Sequence, residues 1–295
     1  MKAREEVKEV QEADEVEEKN AGVAAFFDLD GTLISLPSLE MRFFSVLRYR
    51  KVVGIQNYFA WIVEAARLLP RGINQILHAN KMYLRGLRAD GGTDIPVCLF
   101  LGDRAAETGK SRRQARMPVP LFPEAIERMA WHAERGHLLL IVSGALEPLA
   151  MRAARAMESE LEARGLRSEI RVCATRLEVK NETWTGRIVG EAMFGEAKAR
   201  AIQRIADAED LDLSRCFAYG DSANDKWMLE IVGKPAAVNP SNDLARIARR
   251  NDWAVLRWVR EKTFTQRAQS AQRSQRTERS EHELQVARAK AGFRA

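Results

Sequence analysis

GVAAFFDLDGT, residues 22–32, is a short unbroken apolar run that ends in two aspartates and a glycine-threonine turn. A run this short, stopped by Gly31, suits a β-strand buried on both faces, as the strands of parallel sheets are. Asp28 and Asp30 at the end of such a strand are disfavoured by desolvation and by mutual repulsion. They become tolerable if a divalent cation sits among them, because the metal neutralises their charge, and the amides of the turn can bind an anion. Chemistry is therefore expected at the carboxyl end of this strand.

Working outward, helix and strand alternate through the second half of the chain. PEAIERMAWHAERG (123–136) reads as a helix with proline in its first turn and glycine at its end, and HLLLIVSGA (137–145) as a second buried strand. EPLAMRAARAMESELEARG (147–165) is helical, SEIRVCATRLEV (168–179) extended, and KNETWTGRIVG (180–190) a hairpin turn with its return strand. GEAKARAIQRIADAEDLD (195–212), RCFAYGDS (215–222), NDKWMLEIVG (224–233) and PAAVNP (235–240) continue as helix, strand, helix and strand. This alternation predicts an α/β fold with a Rossmann-like, doubly wound parallel sheet, whose ligands bind beyond the carboxyl ends of the strands. The polar clusters fall there: Asp28 and Asp30 after one strand, Ser143 after the second, Asp221 and Asp225 after a later one. Between residues 36 and 120 the period changes to aromatic and aliphatic residues three and four apart, which predicts an α-helical cap inserted after the first strand.

Carboxylates, a cation, a lysine and a hydroxyl at strand tips form a device for phosphoryl transfer. Hard oxygen ligands select Mg²⁺, and a lysine with amide donors stabilises charge on the transferring group. DLDGTL, a serine after the second strand, the lysine of GEAK, LEVKNETWTG and GDSANDKWMLEIVGKPAAVNP together resemble the haloacid dehalogenase superfamily of aspartate-nucleophile phosphatases. Within it, they are most similar to subfamily IB, the phosphoserine phosphatase-like branch. The resemblance runs from about Ala24 to Trp258. It implies Asp28 as nucleophile, Asp30 as general acid and then base, and Lys198 as the charge neutralising phosphate and nucleophile. It implies Mg²⁺ held by Asp28, the backbone carbonyl of Asp30, and Asp221, with Asp225 orienting metal-bound water and Lys198. Ser143, the Gly144 amide and Asn224 would contact phosphate, and Thr32 would hold the loop after the nucleophile.

The 295 residues, 46% hydrophobic and 30% charged, allow one large core with a smaller insertion. The organisation expected is a charged arm (1–21), a core (22–35 and 121–260), the helical cap (36–120) and a basic tail (261–295) that buries little and is either a disordered end or a solitary exposed helix. A net charge of +6 favours anionic partners without selecting one. Cys98, Cys173 and Cys216 have neither zinc-site nor disulfide-framework spacing, which suits reduced thiols in a cytoplasmic protein. The acidic start lacks the apolar core of a signal peptide, and no run reaches the roughly 20 apolar residues of a membrane span. The aromatic stripe Phe43, Phe44, Tyr49, Tyr58, Phe59 and Trp61 is expected to pack the cap or to seat it on the core.

A sharper reading of that stripe, beside Arg42, Arg48, Arg50 and Lys51, is an apolar entrance for a lipid phosphate. The leading expectation is a Mg²⁺-dependent phosphomonoester hydrolase acting on a small phosphorylated metabolite, phosphoserine-like by resemblance. A lipid or other alcohol phosphate, a phosphotransferase, and a non-enzymatic binding module acting through the basic tail stay open. So does weak contact of the tail or cap with acidic lipid or nucleic acid. The sequence leaves the oligomeric state open.

Overall fold

In the computed structural model, residues 22–89 and 119–259 are described; the expectations for the arm, the tail, Cys98 and most of the loop before Pro120 lie outside them. The expected first strand is β1 (Ala24–Phe27), with all four side chains buried. It pairs in parallel with β2 (Leu138–Leu146) on one side and β6 (Phe217–Gly220) on the other. With β3 (Ile170–Thr175), β7 (Lys234–Val238) and β8 (Ala254–Leu256) the sheet runs in the order β3-β2-β1-β6-β7-β8, every pairing parallel. The chain first builds outward from β1 to one edge, then returns to build the other. The reversal falls at the tip of β1, where such sheets open a crevice.

Alternation of side chains along the strands divides the core into two layers. Ala25 and Phe27 share one face with Leu139, Ile141 and Tyr219, beneath α4 (Pro123–Ala133) and α5 (Glu147–Ala163). Ala24 and Phe26 share the other with Leu140, Val142 and Ala218. That face is covered by α6 (Glu196–Glu209), α7 (Lys226–Glu230) and α8 (Asn242–Arg250). Phe26 and Phe27 are fully buried, which stabilises the centre of the sheet by about 1.5–3 kcal/mol each.

Between β1 and α4 the described residues form α1 (Leu39–Tyr49), α2 (Ile55–Leu68), α3 (Ile73–Ala79) and a 3₁₀ turn at Met82–Leu84. Ser38 caps α1, accepting a hydrogen bond from the Met41 amide at 3.2 Å, and Leu39, Phe43 and Leu47 bury its i, i+4, i+8 stripe. The aromatic stripe splits. Phe43 is buried and Phe44 and Trp61 are half-buried, whereas Tyr49 and Phe59 are 89% and 64% exposed. Tyr49 misses the buried stripe of α1, and in α2 only Leu68 is buried.

The extended stretch read over 168–179 is two strands. The chain leaves the sheet after Thr175 and enters an antiparallel hairpin of β4 (Leu177–Lys180) and β5 (Thr183–Ile188). That hairpin receives the end of the helical insertion. Gly86 donates to the Trp184 carbonyl, the Trp184 amide to Leu87 and the Ala89 amide to Glu182, each at 2.8 Å. The Trp184 ring meets Phe43 edge to face at 6.4 Å.

Candidate active site

The tips of β1, β2 and β6 deliver the polar groups. The Asp28 amide continues the ladder by donating to the Tyr219 carbonyl at 2.8 Å, which fixes where its side chain leaves the sheet. Gly31 follows with φ of +92°, and a Cβ there would lie 2.2 Å from Asp221 Oδ2. The glycine is required both for its backbone conformation and for the close approach of the β6 loop. Lys198 lies on the buried stripe of α6 with Ala197, Ala201 and Ile202, so the helix aims an ammonium where its neighbours present hydrocarbon.

Lys198 Nζ donates to Asp28 Oδ1 at 2.5 Å and to Asp225 Oδ1 at 2.6 Å, with all three residues buried. The second oxygen of Asp225 accepts from the amides of Asp221 (3.2 Å) and Ser222 (2.9 Å) and from the Ser222 hydroxyl (2.8 Å). Asp28, Asp221 and Asp225 each offer a carboxylate oxygen within 4.8 Å of the others. Three hard anionic oxygens at this spacing fit a divalent cation of the magnesium kind. Burial is the main reason that Asp28 is raised to about 7, aided by Asp225 and Asp30 and opposed by Lys198. Asp221 is raised to about 8 by burial, Asp28 and Asp225. Burial disfavours the charged form of Lys198, but Asp225 and Asp28 outweigh it and hold the ammonium protonated.

The Asp30 carboxylate stands apart from this cluster. Its Oδ1 accepts the Leu39 amide at 2.8 Å, at the start of α1, where a helix favours negative charge. Burial nonetheless raises its pKa to about 6. Ser143 Oγ accepts from the Ala145 amide at 3.1 Å, and the Gly144 carbonyl accepts from Thr175 Oγ1 at 3.0 Å. Asp28, Asp30, Ser143, Gly144, Lys198, Asp221, Asn224 and Asp225 all line one cavity of about 760 Å³. Thr32 does not. It is fully buried, its Oγ1 without a hydrogen-bond partner, beneath the turn.

The insertion forms the facing wall, and here sequence reading missed a polar group. Glu40 of α1 accepts from Lys81 Nζ at 2.6 and 2.7 Å and from the Tyr83 hydroxyl at 2.6 Å. A lone carboxylate inside LEMRFF was its only local signal. His78, which stacks on Phe194 at 4.6 Å, lines the cavity too and was also not predicted.

Residues 25–230 match the family profile described as haloacid dehalogenase-like hydrolase. A Streptomyces azureus protein named for inhibition of morphological differentiation is 46% identical over 98 residues, 33% of this chain. That match spans only 35% of the relative's length. A Mycobacterium tuberculosis protein named phosphoserine phosphatase SerB1 is 28% identical over 245 residues, covering 79% of this chain and 70% of the relative. The crystal structure of a Bordetella pertussis protein of unknown function shares the fold at 24% identity. Its TM-score is 0.59, over 80% of this chain and 99% of that one.

Proposed function

The chain belongs to the haloacid dehalogenase-like hydrolase family, and from this premise we infer that it is a Mg²⁺-dependent phosphatase of phosphomonoesters working through an aspartyl-phosphate. The observation that carries this reading is Lys198, bonded at 2.5 and 2.6 Å to Asp28 and Asp225 beside the Asp221 carboxylate, at the tip of the central strand. A lysine buried in this way serves to hold a carboxylate ionised and to meet a dianion.

Asp28 attacks phosphorus and forms the acyl phosphate, while Lys198 balances the charge gathering on the phosphoryl oxygens. Ser143, the Gly144 amide and Asn224 fix those oxygens. Asp30, raised to about 6, protonates the departing alkoxide and afterwards takes a proton from the water that attacks the acyl phosphate. Asp28 and Asp221, with the Asp30 carbonyl, would hold Mg²⁺, Asp225 would keep Lys198 in place, and the cation would neutralise phosphate charge when bound. The insertion over 36–120 acts as a cap that shields the reaction from bulk water and meets the leaving group. The substrate is a phosphorylated metabolite, and the relative's name makes phosphoserine the first compound to try. Half-buried Cys173 and buried Cys216, both free thiols, suit the reducing cytoplasm.

Phosphate release from p-nitrophenyl phosphate with Mg²⁺ tests the reading directly. EDTA should abolish release, and Asp28→Asn should lower it at least about a thousandfold while the melting temperature is kept, since the covalent route is lost. Undiminished release in either case would remove the foundation of the proposal.

A further inference from the structure

The wall facing the catalytic carboxylates is apolar. Met41, Phe44, Tyr58, Trp61, Leu77 and Phe194 line it. Among the described residues its charged side chains are Glu40 and Lys81, and they are spent on each other at 2.6 and 2.7 Å, with Tyr83 closing the same carboxylate. A leaving group bearing an ammonium and a carboxylate would therefore have to break a buried ion pair to find partners, whereas a hydrocarbon chain would find surface already suited to it.

That apolar lining continues into solvent. Met41, Tyr58 and Leu77 line the cavity and are also 62%, 40% and 63% exposed. On α2, exposed Ile55, Phe59, Ile62 and Val63 join Tyr58 along one helical face, a patch of the kind that marks an interaction surface. Exposed Arg48, Arg50 and Lys51 flank the start of that helix, and exposed Arg67 and Arg71 flank its end. Residues 36–89 carry nine lysines and arginines against two glutamates. Both glutamates are paired, Glu40 with Lys81 and Glu64 with Arg67. An apolar helix face bounded by cations is complementary to an anionic lipid surface.

Resting on the phosphatase reading, we propose that this site takes a phosphomonoester whose alcohol carries a long apolar chain, drawn from an anionic bilayer on which the exposed face of α2 sits. The phosphate enters toward Asp28, the chain lies along the aromatic wall, and the cavity mouth opens where the helix meets lipid. The bond broken is the same ester bond, and Asp30 supplies the proton to the released alcohol.

The full chain with Mg²⁺ is assayed on p-nitrophenyl phosphate, phosphoserine, and butyl and octyl phosphate kept below micelle-forming concentration. Its flotation is measured with phosphatidylcholine vesicles, with and without phosphatidylglycerol. Each methylene buried on the wall should raise kcat/KM about threefold to fourfold, so octyl should exceed butyl phosphate by at least about tenfold. Leu77→Asp should flatten that ratio. Only the anionic vesicles should carry the protein, and less so as salt rises. Phe59→Asp and Ile62→Asp should lose vesicle binding at an unchanged melting temperature, because both side chains already stand in water. Equal rates on butyl and octyl phosphate, a preference for phosphoserine, or no binding to anionic vesicles overturns the proposal. If p-nitrophenyl phosphate is nevertheless cleaved, the phosphatase reading survives that result. No release from any of the four compounds sinks both.

Discussion

As the proposed general acid, Asp30 would donate a proton only while it holds one, and burial raises its pKa to about 6. As pH climbs above that value the acid form falls tenfold per unit, so protonation of an alkoxide leaving group slows in the same proportion. Asp30→Asn should cost about 10² to 10⁴ in kcat on an alkyl phosphate. In the phosphorylation of Asp28, read as single-turnover release of the alcohol, it should cost far less with p-nitrophenyl phosphate, whose phenolate leaves without a proton, and equal losses in that step would take the acid role away from Asp30. Hydrolysis of the acyl phosphate, where Asp30 is the base, should slow alike on both. His132 sets an acid limit on stability instead. It is fully buried between Tyr219 Oη at 2.9 Å and His137 Nδ1 at 2.8 Å. Burial first, then His137 and nearby cations, lower its pKa from 6.5 to about 3. The unfolded chain binds that proton first, so this contribution is whole above pH 6.5 and is lost as pH falls toward 3. Chemical denaturation across that window should show wild type losing up to about 1.4 kcal/mol per pH unit more than His132→Phe. Asp28, Asp221 and Ser143, which line one cavity with Lys198, could be singled out from sequence because each sits at a strand end, and Lys198 through the GEAK motif and its spacing to GDSANDKWML. Glu40 could not, since its partners Lys81 and Tyr83 lie 41 and 43 residues away and meet it only after the insertion folds.

Among the elements, the hairpin of β4 and β5 was the least legible. Sequence alternation identified the turn and return strand, but a single residue, Arg176, separates β3 from β4. Nothing local tells that the two strands join different sheets. The pairing of β5 with residues 86–89 depends on a segment almost a hundred positions upstream, and this ties the insertion to the core at a second place. Phe43 is the side-chain part of that tie, packed edge to face on Trp184. Phe43→Ala should cost about 3–5 kcal/mol in urea denaturation. A double-mutant cycle with Trp184→Ala should return about 0.5–1.5 kcal/mol for the ring pair; strict additivity would show that the rings merely share a region. The helices of the insertion were legible from their three- and four-residue period. Which of their aromatics would be buried was not, because periodicity marks a face without saying what covers it.

At the scale of the molecule, the parallel sheet was legible because its strands are short, apolar and spaced by helices, while β8, only three residues long, carries too little pattern to be seen. All nine predicted site residues fall between residues 28 and 225, and the last aromatic among the described residues is Trp258, stacked on Tyr219 at 6.5 Å and tilted against Phe122 at 6.3 Å. Truncation after Val259, whose amide is held by Glu124 Oε1 at 2.9 Å, should therefore leave turnover and melting temperature near wild type. Truncation before Trp258 should lower the melting temperature by several degrees, roughly 2–4 °C for each kcal/mol of packing lost in a chain of this size. Loss of turnover in the longer variant would make the basic tail part of the enzyme. The hydrogen bond from the Leu39 amide to Asp30 has a mechanical meaning as well. On the proposed mechanism it would work as an interlock: lifting α1 from the strand tips would break this bond to the proton carrier, so a gaping enzyme would also be a disarmed one, and solvent flooding in would find its activating base without its anchor.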